Sequence, residues 1–256
     1  MRSRILVGAL LAVCAIGLGA SPASANGGGG SKCNGTVNGG TISGDVSVGN
    51  NAVCILNGVN VTGNVILAKN AYFESNGSTI AGSVTSFRSL TIYIWNHSKV
   101  GGNVVGLWTP QVFVYNSTVR NVAAVDGVAP GYGHFQVCGS TVSGTVGAAL
   151  MGPDVLIGDA AAGCGANTVG GSIVAAGNTT DQELYVIGNT VSNGDIGIYY
   201  NTGVGDKQVH GNNAAQGDLV CSGNSAPFSG TANGTVGDLE GSQCAAATIT
   251  GVDAGS

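Results

Sequence analysis

Four aromatic side chains alternate with aliphatic ones in two short runs, Leu90-Thr91-Ile92-Tyr93-Ile94-Trp95 and Val112-Phe113-Val114-Tyr115. A period of two sends Ile92, Ile94, Val112 and Val114 to one side of a strand and Tyr93, Trp95, Phe113 and Tyr115 to the other. Rings displayed outward on a flat face stack well on sugar rings. With Trp108 between the two runs, these five residues form the candidate ligand-binding set. Two structural alternatives stand beside this reading: an aromatic stack that only stiffens the face, or a register that turns the rings inward.

The other side chains able to do chemistry are carboxylates. Polysaccharide cleavage by elimination needs a Lys or Arg base beside Ca²⁺-holding carboxylates, and hydrolysis needs two carboxylic acids at a fixed separation. Asp45, Asp195 and Asp218 share one repeat position, but Asn64, Ser83, Asn103, Thr145 and Ser172 occupy it elsewhere. Only Asp195 and Asp218 are neighbours there, and a solvated polar column is the expectation. A second group, Asp126, His134, Asp154, Asp159, Asp181 and Glu183, lies in a stretch rich in Gly and Ala with Arg120 the one base nearby. Catalysis is not expected from it, and no cofactor or metal motif occurs. His97 and His210 fall in turns.

These residues are positioned by a repeat. The cassette Thr/Asn-Val/Ile-x-Gly-x-Val/Ile reads Thr41-Ile42-Ser43-Gly44-Asp45-Val46, Asn60-Val61-Thr62-Gly63-Asn64-Val65, Thr79-Ile80-Ala81-Gly82-Ser83-Val84 and Lys99-Val100-Gly101-Gly102-Asn103-Val104. It returns at Thr141-Val142-Ser143-Gly144-Thr145-Val146 and Thr168-Val169-Gly170-Gly171-Ser172-Ile173, in steps of 19 to 27 residues. Self-similarity at this period, with strand-like runs between copies, predicts a parallel β-helix. The all-β solenoid should have about ten coils, and irregular steps favour the right-handed form over a strict 18-residue left-handed one. Stacked in register, Ile42, Val61, Ile80, Val100, Val119, Val142, Val169 and Val191 form one interior column. Val46, Val65, Val84, Val104, Val122, Val146, Ile173, Ile196 and Leu219 form a second. Thr41, Asn60, Thr79, Thr118, Thr141, Thr168, Thr190 and Asn213 face outward, where such stacks exchange side-chain hydrogen bonds. The intervening Gly is expected at a corner, with positive φ or a crowded backbone.

Residues 1–25 read as a signal peptide: Arg2 and Arg4, the apolar run from Ile5 to Ala20, then Ala23-Ser24-Ala25. Val13 before Cys14 argues against a lipoprotein signal. Residues 26–32 are a Gly-rich flexible leader, and 33–256 one domain with no linker. The chain carries 13 acidic against 8 basic residues, and the signal removes two of the latter. That balance argues against nucleic acid or an anionic membrane surface, and no later segment is apolar enough for membrane insertion. The remaining cysteines pair best in sequence order, Cys33 with Cys54, Cys138 with Cys164 and Cys221 with Cys244, because each separation is close to one coil. No Cys-x-x-Cys spacing supports a metal reading, and the even number suits an oxidising compartment.

The run Gly211-Asn212-Asn213-Ala214-Ala215-Gln216-Gly217-Asp218-Leu219-Val220-Cys221, followed by Gly241-Ser242-Gln243-Cys244, resembles the secreted right-handed β-helix proteins of uncharacterised role in actinobacterial-type soil bacteria. Those proteins close on Gly-Gln-Cys where this chain has Gly-Ser-Gln-Cys. The resemblance implies a pectate-lyase-like solenoid and export, and no lyase catalytic motif maps onto these residues. The expectation is a secreted structural or adhesive surface protein, with polysaccharide or cell wall as partner. A polysaccharide lyase or hydrolase and a self-associating filament subunit are the alternatives.

Overall fold

A computed structural model describes residues 30–127, 133–158, 163–225, 228–244 and 248–249. The signal segment, Cys14, residues 26–29 of the leader and Asp159 lie outside the described residues. The chain is a parallel β-solenoid of about ten coils, and no helix occurs among the described residues. No described helix is therefore long and apolar enough to cross a membrane.

Each coil contributes to three faces. The broad face stacks nine strands, from Gly35–Asn38 and Val53–Asn57 through Tyr72–Asn76, Thr91–Trp95, Gln111–Tyr115 and His134–Cys138 to Asp206–His210. A narrow face stacks the two-residue strands Thr41–Ile42, Asn60–Val61, Thr79–Ile80 and their successors. The third stacks Val46–Val48, Val65–Leu67 and Val84–Phe87 up to Leu219–Ser222. The first coil opens on Ser31–Cys33, paired with Val46–Val48, so the strand begins two residues inside the span read as leader.

Both interior columns form in the expected register, with Ile42 opposite Val61, Val61 opposite Ile80, Val46 opposite Val65, and so on to Ile196 opposite Leu219. All but the partly exposed Ile42 of the first coil are buried. β-Branched side chains suit these positions because stiff χ1 angles pack well on a pleated, fully enclosed surface. The Thr/Asn column faces outward as expected, but no side-chain hydrogen bond joins any one of its residues to the next among the described residues.

The ladders lie at the corners instead. The residue after the cassette Gly accepts, through its side-chain oxygen, the backbone N–H of its counterpart on the following coil: Asp45 from Asn64 (2.7 Å), Asn64 from Ser83 (2.9 Å), Ser83 from Asn103 (3.0 Å), while Asn103 accepts instead from the Asn121 side-chain amide (2.8 Å). The series continues from Asn121 to Thr145 and closes with Asp195 accepting from Asp218 (3.0 Å). The glycine requirement follows from this close approach. A Cβ on Gly82 would lie 2.4 Å from Asn64 Oδ1 and 2.7 Å from the Gly63 carbonyl oxygen. Positive φ explains the first copy, Gly44 (φ 84°); the later copies are glycine because of crowding.

The three disulfides pair as the spacing predicted, with Cα–Cα distances of 5.5 Å for Cys33–Cys54, 4.7 Å for Cys138–Cys164 and 5.2 Å for Cys221–Cys244. Each ties one coil to its neighbour.

Candidate functional site

The broad face alternates inward aliphatic and outward functional side chains over consecutive coils. Ile92, Ile94, Val112 and Val114 are fully buried, and Tyr93, Trp95, Phe113 and Tyr115 stand on the outer side, half-buried. The strands run parallel with Tyr93 opposite Phe113. Within a coil the rings stack, Tyr93 on Trp95 at 5.7 Å and Phe113 on Tyr115 at 6.0 Å, each pair 12° from parallel. Between coils the orientation switches: Tyr93 meets Phe113 at 5.7 Å and Tyr115 at 5.6 Å, both at 85°. Edge-to-face packing sets the positive ring edge of one residue against the negative face of the next.

Tyr72 completes the set. It precedes Thr91 by one coil at the same strand position, and with Thr91, Tyr93, Gln111, Phe113 and Tyr115 it lines a depression of about 300 Å³. That volume is at the lower end of ligand pockets, about 300–1,000 Å³. Sequence reasoning missed Tyr72, although the alternation Tyr72-Phe73-Glu74-Ser75 carries the same period-two signal. Thr91 Oγ1 donates to Gln111 Oε1 (2.7 Å) at one side of the depression.

A carboxylate is fixed beside these rings. Glu74 accepts from the Tyr72 hydroxyl at Oε2 and from Trp95 Nε1–H at Oε1, both at 3.0 Å. On the other flank the Tyr115 hydroxyl donates to Gln136 Oε1, and Gln136 Nε2 donates to Asp154 Oδ2 (2.6 Å). Asp154 is buried, His134 Nδ1 lies 3.2 Å from the same Oδ2, and Asp154 Oδ1 has no hydrogen-bond partner. Burial, followed by the hydrogen bond to Glu74 and its charge, pushes the Tyr72 phenol up to about 12. Burial and then the Glu74 charge raise Tyr93; burial, Tyr93 and then Asp154 raise Tyr115. These phenols stay protonated, as O–H groups able to donate, through the physiological range.

Trp108 is separated from the other four. It occupies the corner before the broad face in a left-handed conformation (φ 50°), edge-on to Phe87 at 4.6 Å, with Nε1–H donating to Asp126 Oδ2. The Arg88 guanidinium lies 5.2 Å from the Phe87 ring and 5.5 Å from that of Trp108. A bulky residue at positive φ is uncommon, which is why the sequence pattern gave no hint of a corner there.

The acidic residues named from the sequence fall into four environments. Asp45, Asp195 and Asp218 belong to the corner ladder, a row that is exposed at Asp195 and half-exposed at Asp45 and Asp218 and is also hydrogen-bonded from coil to coil. Asp126 holds Trp108. His134, Asp154 and Glu183 fall in one column of the broad face, opposite one another on successive coils and continued by Asp206, a neighbour the sequence reading did not group with them. Asp181 sits exposed in the turn before Glu183. Among the described residues no group of three or more His, Cys, Asp or Glu side chains could hold a metal ion. Comparisons with protein-family models, curated proteins and solved structures return no match.

Proposed function

We propose that the chain is an exported, disulfide-stapled β-helix of right-handed winding, like the actinobacterial-type proteins its C-terminal motifs resemble, and that it adheres to polysaccharide through its broad face. The supporting observation is the open depression walled by Tyr72, Tyr93, Phe113 and Tyr115, set on strands whose inner side chains are fully buried. Rings with stacked and perpendicular neighbours lose little conformational freedom on binding, and Tyr hydroxyls with Thr91 and Gln111 supply the polar contacts a sugar requires. The three one-coil disulfides suit an oxidising, extracellular setting.

Binding of the oxidised protein to a panel of purified polysaccharides, with and without Ca²⁺, tests this reading. Trp95→Ala and Tyr115→Ala should each weaken attachment on the order of tenfold while leaving thermal unfolding cooperative. Unaltered attachment in both variants removes the aromatic face from consideration.

One observation favours a hydrolase as second reading. Parallel strands about 4.8 Å apart carry Asp154, Glu183 and Asp206 in register, and two carboxyl groups about 5–5.5 Å apart serve retaining glycosidases. New reducing ends in the same assay, lost in Asp154→Asn, would establish it in place of adhesion.

A further inference from the structure

Resting on the adhesive reading of the broad face, we infer that the depression selects ligands carrying a positive charge, an ammonium or substituted ammonium group presented by the glycan or by a small free cation. Four aromatic rings line it, and ring faces attract cations through their quadrupole, more strongly where water is partly excluded. Tyr93 stands nearly perpendicular to both Phe113 and Tyr115, so the walls meet the space from different directions.

Glu74 sets the sign of the charge beside the rings. No Lys or Arg lines the depression. Glu74, opposite Tyr93 on the preceding coil, is held in place by two donors, Tyr72 and Trp95, which neutralise none of its charge. Asp154 reaches the other side through Gln136 and Tyr115, and the nearby imidazole of His134 is paired with that same carboxylate. The upward shifts of Tyr72, Tyr93 and Tyr115 each include a contribution from Glu74 or Asp154, as a negative field across the site requires. An anionic sugar would approach the Glu74 carboxylate with no Lys or Arg among the lining residues to receive it. A neutral sugar would satisfy the rings and leave the field unused. A cationic one uses both.

The test compares ligands that differ only in charge, on the unmodified oxidised protein. Titration calorimetry with fully deacetylated and fully N-acetylated glucosamine oligomers of equal length should give about tenfold tighter binding for the deacetylated form at low salt, with the difference shrinking at high ionic strength. Glu74→Gln should reduce that preference several-fold and leave the acetylated oligomer unaffected. Tetramethylammonium chloride distinguishes the source: binding and competition with the oligomer would support the cation site and extend it to small free cations, whereas no competition alongside a strong deacetylated preference assigns it to the glycan. Equal binding of the two oligomers would overturn the charge selectivity while leaving the adhesive reading intact. Failure of every polysaccharide and of tetramethylammonium to bind would overturn both.

Discussion

The two halves of the solenoid close their corners differently. From Ile42 to Val119 the coils advance by 19 or 20 residues, and from Val119 to Val236 by 22 to 27. In the shorter coils the corner after the broad face holds a buried serine at Ser78, Ser98 and Ser117, and Ser140 carries the pattern into the first longer coil. Ser98 Oγ accepts the Ser78 N–H at 3.2 Å and donates to a carbonyl oxygen of its own turn or the preceding coil. In the longer coils an asparagine fills this corner. Asn189 Oδ1 accepts both the backbone N–H (3.3 Å) and the side-chain amide (2.9 Å) of Asn167, while its own amide donates to the Ile157 carbonyl (2.7 Å) and to Asn212 Oδ1 (3.0 Å). The column runs on to Asn233. A second column, Asn178, Asn201, Asn224 and Gln243, repeats the arrangement at the corner after the third face. After the broad face the asparagine corner is no longer than the serine one, Gly188-Asn189 standing where Gly77-Ser78 stands, and the added residues fall after the third face, between Ala176 and Glu183 against Phe87 and Thr91; in both corners the amide provides enough donors and acceptors to satisfy the backbone around it. Asparagine ladders also exist in the shorter coils, but at half-buried or exposed positions, as in Asn38, Asn57, Asn76 and Asn96. Asparagine stacking therefore stabilises the C-terminal half from within, whereas the N-terminal half keeps serine inside and places its asparagines on the outer side.

The widest contrast is expected between Asn189→Ala and Ser98→Ala. Removing Asn189 orphans the Asn167 amide and the Ile157 carbonyl in a buried corner, at roughly 1–3 kcal/mol per buried unsatisfied group, for a total of about 3–4 kcal/mol. Ser98→Ala removes a smaller group, with an expected cost of about 1–2 kcal/mol. Urea unfolding of the oxidised proteins measures both. Equal losses would mean that the asparagine columns contribute no more than the serines they replace.

The disulfides sharpen the comparison next, since one sits at each end and one spans the longest step. Loops of 21 to 26 residues correspond to about 3 kcal/mol of restricted unfolded-state entropy. Cys138→Ser with Cys164→Ser should lower stability by about that amount, since this bridge spans the longest step. Cys33→Ser with Cys54→Ser should instead fray the first coil, seen as faster amide exchange in Gly35–Asn38 without an equal global loss. Uniform exchange along the chain in the second variant would show that the end coil is held without its clamp.

A smaller effect separates a crowded glycine from a free one. Gly82→Ala forces a methyl against Asn64 Oδ1 and the Gly63 carbonyl, and overpacking of this kind costs about 1–3 kcal/mol. Gly49→Ala, where nothing lies within 4 Å of the added atom, should be within about 0.5 kcal/mol of the parent. A neutral Gly82→Ala would show that the corner ladder yields without loss.

Much of this architecture is legible in the sequence because the cassette has a short, apolar, two-column signature: Val61, Val65 and their counterparts align by inspection, and the cysteine separations match the coil. The asparagine columns were there to read in the Gly-Asn dipeptides at Gly177, Gly188, Gly211 and Gly223, whose glycines take positive φ before the buried amide. They escape a hydrophobicity-based reading because a buried asparagine looks like a turn residue until its partners on neighbouring coils are known. Lys207 escapes for the same reason, buried with Nζ donating to the Gly203 and Gly205 carbonyls at 2.7 and 3.1 Å. At the candidate site the outward rings follow from alternation, whereas Trp108 depends on a corner conformation and the grip on Glu74 on cross-coil register, neither of which composition encodes.

The smallest effects should divide the halves by pH. In the N-terminal half, Tyr72 has a folded value of about 12 against an ordinary phenol value of about 10. A raised value means that the folded chain holds the proton more tightly, so this contribution is complete below about pH 10 and is lost as pH rises toward 12. In the C-terminal half, Asp206 is held below its ordinary range, first by the Gln208 amide, against an opposing cost of burial, and further by Tyr185, the Lys207 backbone N–H and Ser229. Its contribution is present above the unfolded carboxylate value and is lost as pH falls through the lowered folded one. Tyr72→Phe should therefore flatten only the alkaline limb of a urea-midpoint profile, and Asp206→Asn only the acid limb. Both changes should be slight, because each group is largely solvent-screened. An alkaline limb unchanged in Tyr72→Phe would transfer that sensitivity to Tyr93 and Tyr115, and with it the stronger influence of the carboxylates on the centre of the depression.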